Sequence, residues 1–393
     1  MSPTTIHDFP VKALPPRVAR LGWLLLALGL VLLAISHVLE PGRTLFSIDV
    51  LFLFLASLAG GAIFLVALEY IAGAVWSVPI RRVNEFLTGL TPLAVIVAIP
   101  VLLQMGDVFQ WARHGAMEND PVLAGKAPYL NVNFFSIRFL AVFLIWGLFA
   151  FLFVRNSVRQ DVSREQKLTT RNVRLAAVFM PIFAFTVTAL AIDWGMSLAP
   201  HWYSTIFGVY YFSGTVLAAV AACTYVVVKL QEAGYLPFLR RDHFYSLGAL
   251  EFAFVNFWAY IAFSQFLLIW YANLPEETTW FITRWQGGWM WFSILLIVVQ
   301  FGVPYFALLS QNSKMDPMRL KIMSLWILAA HLVDIYWLVM PAYAPAFSIG
   351  ISDVAVPLVA AGLVMLVLVY KFRKYRVVPI GDPKLQRGLD FQL

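Results

Sequence analysis

The chain has 393 residues, of which 61% are hydrophobic, 16% aromatic and only 12% charged, with a mean hydropathy of +0.79 and a formal net charge of +7. A soluble globular domain is excluded by that balance, and the positive charge is no sign of nucleic acid, because the basic residues are dispersed over short segments between apolar runs, as beside anionic headgroups. With Cys223 as the single cysteine, an intramolecular disulfide, a CxxCH haem attachment and a cysteine-ligated iron–sulfur cluster are excluded as well.

Ten runs are long enough to cross a hydrocarbon core of about 30 Å as helices. They lie near 18–39, 50–77, 86–105, 134–154, 175–199, 205–229, 248–271, 286–310, 319–340 and 348–370. The predicted class is an all-α integral membrane protein with a cytoplasmic segment 1–17, a membrane domain 18–370 and a cytoplasmic tail 371–393. The first run is long and has no small-residue cleavage site, so it reads as a retained span. Asp49 precedes the second run and Asp353 the tenth, where each is expected to cap a helix start. Gly60 and Gly61 fall in mid-span and suit close helix packing. Glu69 lies about eight residues from the inner end of the second span and reaches Arg81 or Arg82 only if the chain bends back. Pro92 and Pro100 predict a kinked third span. The polar loop 106–133 has no catalytic motif and suits docking of external subunits. Placing both termini in the cytoplasm puts 23 Lys and Arg residues inside and five outside: Arg43, Arg113, Lys126, Arg138 and Arg284.

Two aspartates stand deep in apolar runs, Asp193 in the fifth and Asp334 in the ninth, each followed seven positions later by a proline, Pro200 and Pro341. A carboxylate at the bilayer centre costs roughly 2.5–3.5 kcal/mol on insertion scales, so such residues mark proton, ion or substrate paths by default. His331 precedes Asp334 by three residues on the same helical face. Glu251 is expected within the first turn or so of the seventh span, near enough to the interface to snorkel or to favour a helix N-terminus. Glu69, Asp193, Glu251, His331 and Asp334 are therefore the candidates for a proton path, weighed against a role in simply bridging helices. Trp202, Tyr203, Tyr210, Tyr211, Trp280, Trp285, Trp289 and Trp291 are read mainly as an interfacial aromatic belt, with His201 and Tyr203 as candidate contacts to a quinone headgroup or a partner. Only His331 lies well inside a span, so paired axial haem ligands are not expected. No P-loop, nucleophile elbow or HExxH motif occurs.

The chain also repeats itself. RLAAVFMPIFAFTVTALAIDWGMSLAP and RLKIMSLWILAAHLVDIYWLVMP both start with ArgLeu and end with Asp, six residues and Pro. VPIRRVNEFLTGL loosely matches LPFLRRDHFYSLGAL, and the fourth and eighth spans both leave through an AsnSer pair followed closely by an aspartate. Spans two to five (about 50–199) and six to nine (about 205–340) are thus expected to be two related four-helix bundles of parallel topology, with spans one and ten outside them.

With this architecture and the string DWGMSLAPHWYSTIFGVYYFSG from Asp193 to Gly214, the chain resembles the NrfD or polysulfide-reductase membrane subunits, most closely the smaller, ActF-type subunit of bacterial alternative complex III. The resemblance implies a bacterial inner-membrane subunit of a quinol:cytochrome c or quinol:acceptor oxidoreductase. It implies partners as well: a multihaem cytochrome c subunit, an iron–sulfur subunit, a larger NrfD-like paralogue, small membrane subunits and a terminal oxidase, with haem c and the clusters held by those partners and quinone or quinol as the associated cofactor. Within such an assembly this chain is expected to supply a proton path and scaffold; the alternatives are a secondary transporter and a purely structural anchor.

Overall fold

A computed structural model describes residues 9–118 and 120–393; residues 1–8 of the predicted N-terminal segment lie outside the described residues. Among them the fold is all helical, without strands, and ten helices are long and apolar enough to cross a membrane. They are α1 (Pro16–Leu39), α2 (Pro41–Ala72), α3 (Val78–Leu103), α4 (Val132–Ser163), α5 (Gln166–Leu198), α6 (Phe207–Glu232), α7 (Arg241–Ala272), α8 (Trp289–Ala307), α9 (Pro317–Ala342) and α10 (Ile351–Lys374).

Several helices outrun their apolar segments, and α2 starts nine residues before its own. It begins at Pro41, a residue whose fixed φ and missing N–H suit the first helical position, and it ends at Gly73, whose φ of 64° provides the left-handed stop. Arg43 in its first turn is buried, but it donates to Asp353 at 2.5 Å and to Ser348 at 2.9 Å, so its charge is answered from the start of α10. Asp353 also accepts from the Gly350 N–H at 2.7 Å and caps α10 as expected. Asp49 does not cap: the earlier helix start puts it nine residues into α2, fully enclosed.

A helix that is apolar on every side belongs in the middle of a bundle. The most apolar stretch of α2 is 100% buried and that of α6 83%, against 17% for α1. The two central helices cross at Gly61, where a Cβ would sit 2.5 Å from the Thr215 carbonyl oxygen, too close for any side chain. Around them the packing is duplicated. α2 packs on α3, α5, α6 and α9, while α6 packs on α7, α9, α2 and α5. Exchanging α2–α5 for α6–α9 therefore maps the principal neighbours of one central helix onto those of the other. α1 and α10 lie together outside this core, interlocked where Gly29 and Gly362 admit the opposing backbone.

Prolines account for the irregular spans. α3 passes through a 3-10 turn at Thr88–Leu90 because Pro92 cannot donate to the Thr88 carbonyl; the Thr91 hydroxyl donates to it instead, at 2.8 Å. In α8 a π turn at Val298–Gly302 precedes Pro304, which has no N–H for the Gln300 carbonyl. The tail after α10 folds back on the inner end: Leu385 and Leu389 are buried, the Gly388 carbonyl lies 2.9 Å from His243 Nε2, and Asp382 accepts from Arg81 at 2.8 Å.

Candidate functional site

The polar groups that sequence alone singles out fall into five separate places. The central one surrounds Asp334 on α9, where α2, α6 and α7 converge. Asp334 is buried; its Oδ1 accepts from the Tyr210 hydroxyl of α6 and its Oδ2 from Trp258 Nε1 of α7 at 3.0 Å. Both donors are neutral, and among the described residues no Lys or Arg makes an ion pair with this carboxyl group. His331, one turn earlier, places Nε2 2.9 Å from the Ser57 hydroxyl of α2 and Nδ1 3.9 Å from Asp334 Oδ2. Ser57 donates its own proton to the Phe54 carbonyl at 2.7 Å, so it can only accept from the imidazole. That fixes the proton on Nε2 and leaves the Nδ1 lone pair facing Asp334. Gly214 makes room for the arrangement, because a Cβ there would meet His331 Cε1 at 2.9 Å.

The same face of α2 carries a further acid. Asp49 lies two turns from Ser57, and both its carboxylate oxygens are buried without a partner among the described residues. Between them, Tyr211 of α6 donates to the Leu53 carbonyl at 2.7 Å. Asp49, Tyr211, Ser57, His331, Asp334 and Tyr210 thus line the contacts of α2 with α6 and α9, a grouping that crosses both bundles. On the side of Tyr210 and Trp258 lies a largely apolar cavity of about 500 Å³.

The other candidate acids are elsewhere. Asp193 is gripped by Arg138 of α4 through two bonds, 2.8 Å to Oδ2 and 2.9 Å to Oδ1, the bidentate form that suits guanidinium and carboxylate. Arg138 also lies over the Tyr129 ring at 3.8 Å. Glu69 accepts from Arg81 at 2.8 Å, since the chain does bend back after Gly73, and Arg81 also holds Glu85 at 3.1 Å. Beside it Arg82 pairs with Glu85 and Asp161 at 3.0 and 2.8 Å. Glu251 is not at the first turn of its helix but eleven residues into α7, fully buried, and so neither snorkels nor serves the helix start. Its Oε1 accepts from Ser324 of α9 at 2.6 Å, while Oε2 has no hydrogen-bond partner among the described residues. Ser324 is two turns, about 10 Å, from His331 along α9, with buried Ile327 between them. The five candidates do not form one continuous chain.

His201 and Tyr203 are on the outer surface, away from Asp334. His201 Nε2 lies 2.5 Å from Asp120, which also accepts from the Val122 and Leu123 N–H groups, so the pair joins the outer loop to the turn after α5. The bond from His201, aided by those N–H groups, holds the Asp120 pKa below its ordinary value. A depressed carboxylate stabilises the fold above its unfolded value, about 4, and that contribution is lost as the pH falls through the lower folded value. Hydrogen exchange at the Val122 and Leu123 amides should therefore accelerate only below the ordinary carboxylate range, and His201→Ala should move the onset to higher pH. An onset that does not move would show that His201 is not the cause.

Of the eight aromatic residues read as a belt, Trp202, Tyr210, Tyr211, Trp280 and Trp289 are buried instead. Trp202 stacks on Trp280 at 4.5 Å, and the two tyrosines serve the polar grouping just described. Tyr203, Trp285 and Trp291 are exposed as expected. No cluster of three or more metal-ligating side chains occurs among the described residues. In comparisons with known proteins, the chain matches no family model and no curated protein.

Proposed function

We propose that the protein is the NrfD-like membrane subunit of a bacterial inner-membrane quinol:acceptor oxidoreductase of the alternative complex III type, and that it moves protons while partner subunits carry haem and iron–sulfur centres. The observation that carries the reading is the Asp334 site: a buried carboxyl group held only by neutral donors, facing an imidazole lone pair, at the junction of the two bundles. Such a group can gain and lose a proton without breaking an ion pair, and the nearby nitrogen is a partner for the transfer. The resemblance of Asp193 to Gly214 supplies the respiratory context.

A structural role is favoured for Asp193 and Glu69, because each is already neutralised by an arginine, the mostly buried Arg138 and the buried Arg81. Asp334→Asn keeps the shape of the site and removes the titrating oxygen. In the intact assembly reconstituted in vesicles, it should slow the proton-transfer step by about 100-fold, with haem content unchanged. An unaltered ratio of protons to electrons would remove the proposal. A chain that purifies alone and exchanges a solute across liposomes would replace it with a transporter.

A further inference from the structure

Of the four buried arginines described, Arg43, Arg81 and Arg82 each meet a carboxylate, and Arg284 meets none. Its position has a local cause. Pro341 has no N–H to give the Trp337 carbonyl at the end of α9, and Arg284 Nε supplies the missing donor at 3.2 Å. Nη2 donates to the Leu338 carbonyl at 2.8 Å, Nη1 to the Trp280 carbonyl at 3.0 Å, and the guanidinium lies 3.4 Å from the centre of the Trp280 ring. These bonds use three of the five N–H groups of an arginine. The carbonyls at a helix C-terminus offset only part of a unit charge, so a buried cation is left with two N–H groups and no counter-ion.

Arg284 lines the upper end of the 500 Å³ cavity beside Asp334. From there the cavity runs down between α7 and α8 as far as Asn256 and Phe301. On α7 alone the lining from Phe266 to Asn256 spans about 15 Å. The walls are mainly apolar, with the Gln265 amide among the few polar groups, and the π turn of α8 borders the lower end. Tyr260, Phe263 and Ile297 belong to both the lining and the exposed apolar surface, so the cavity opens sideways where the hydrocarbon of a bilayer would be. A cation at the level of the outer helix ends, above an apolar slot open to lipid, matches one class of ligand in charge and shape.

We propose that this cavity binds one anionic phospholipid, with its phosphodiester on Arg284 and an acyl chain between α7 and α8. The site is independent of the proton-transfer reading. An uncharged lipid or a quinone would fill the slot but leave the guanidinium without a counter-ion, and a zwitterionic lipid would bring its phosphodiester only together with a cation.

The full chain, purified in a mild detergent and titrated with brominated phosphatidylglycerol or brominated phosphatidylcholine, provides the test, because Trp258, Trp285 and Trp337 line the cavity and bromine quenches their fluorescence. Phosphatidylglycerol should bind at one per chain and about tenfold more tightly than phosphatidylcholine, whose choline cation offsets the phosphodiester charge that Arg284 meets. Arg284→Gln should abolish the preference. Since that change also uncaps α9, Ala262→Trp provides the second arm: it fills the slot, leaves Arg284 in place and should prevent quenching by either lipid. Equal affinity for the two lipids, undiminished quenching in Ala262→Trp, displacement by inorganic phosphate, or a quinone retained in place of lipid would each overturn the proposal.

Discussion

Arg81→Gln is expected to be the most destabilising single substitution in the inner half of the molecule. Arg81 is 2% exposed and binds three carboxylates at once: Glu69 at 2.8 Å, Glu85 at 3.1 Å and Asp382 at 2.8 Å. Its guanidinium also lies 4.6 Å from the centre of the Tyr70 ring. A buried ion pair adds little over an apolar replacement of the same shape, but removing one partner leaves a charge that nothing solvates, at a cost of about 3–5 kcal/mol. Here one deletion takes the arginine from Glu69 and from Asp382, which keeps only the neutral Lys384 N–H at 2.8 Å, and leaves Glu85 to Arg82 alone. Against a typical total stability of 5–15 kcal/mol, the variant should unfold at a markedly lower temperature in detergent. It should also release the tail, since Asp382 loses its anchor, and limited proteolysis after Tyr375 would detect this. Asp382→Asn, which removes one acid and no cation, should cost much less. Adding Glu69→Gln to Arg81→Gln should recover part of the loss. Equal melting temperatures for wild type and Arg81→Gln would mean that the network contributes nothing.

The spans were legible because about 18 or more apolar residues in a row have few other uses, and the duplicated packing was legible because Asp, six residues and Pro recur at the ends of α5 and α9. The missed boundaries share one cause. Hydropathy treats Arg43 and Asp49 as polar and starts α2 after them, whereas the fold pairs Arg43 with Asp353, 310 residues away, and buries Asp49 outright. The tail was missed for a related reason: its average is polar, yet Leu385 and Leu389 are enough to dock it. Within the site, Asp334 and His331 could be picked out by the cost of burying them, but their partners could not. Tyr210 and Trp258 are aromatic residues in an aromatic-rich chain, and their hydroxyl and indole N–H acquire meaning only from the α6, α7 and α9 contacts. The same holds for the arginines: Arg138 is 55 residues from the acid it neutralises, and no helical periodicity links them.

Asp193 and Asp334 occupy matching places in the two bundles but answer to different neighbours, and replacing each by asparagine should separate them. Asp193→Asn keeps one acceptor oxygen for Arg138 but removes its counter-charge, leaving the guanidinium in a mostly buried position among neutral partners: that oxygen, the Tyr129 carbonyl at 2.9 Å and the Tyr129 and Phe134 rings. Those contacts retain part of the interaction, so the loss should fall near the lower end of the range for a broken buried pair, about 3 kcal/mol. Removing both charges, in Asp193→Asn with Arg138→Gln, should cost less than adding the two single losses, because the double variant has no stranded charge. Asp334→Asn strands no cation. It keeps the acceptor that Tyr210 uses and weakens the bond from Trp258, so its stability should change by about 1 kcal/mol, as for one neutral hydrogen bond. A denaturation series on the four variants and wild type would show whether this ordering holds. If Asp334→Asn proved the more destabilising, Asp334 would be the structural member of the pair, and its site would lose the freedom to exchange a proton without disturbing the fold.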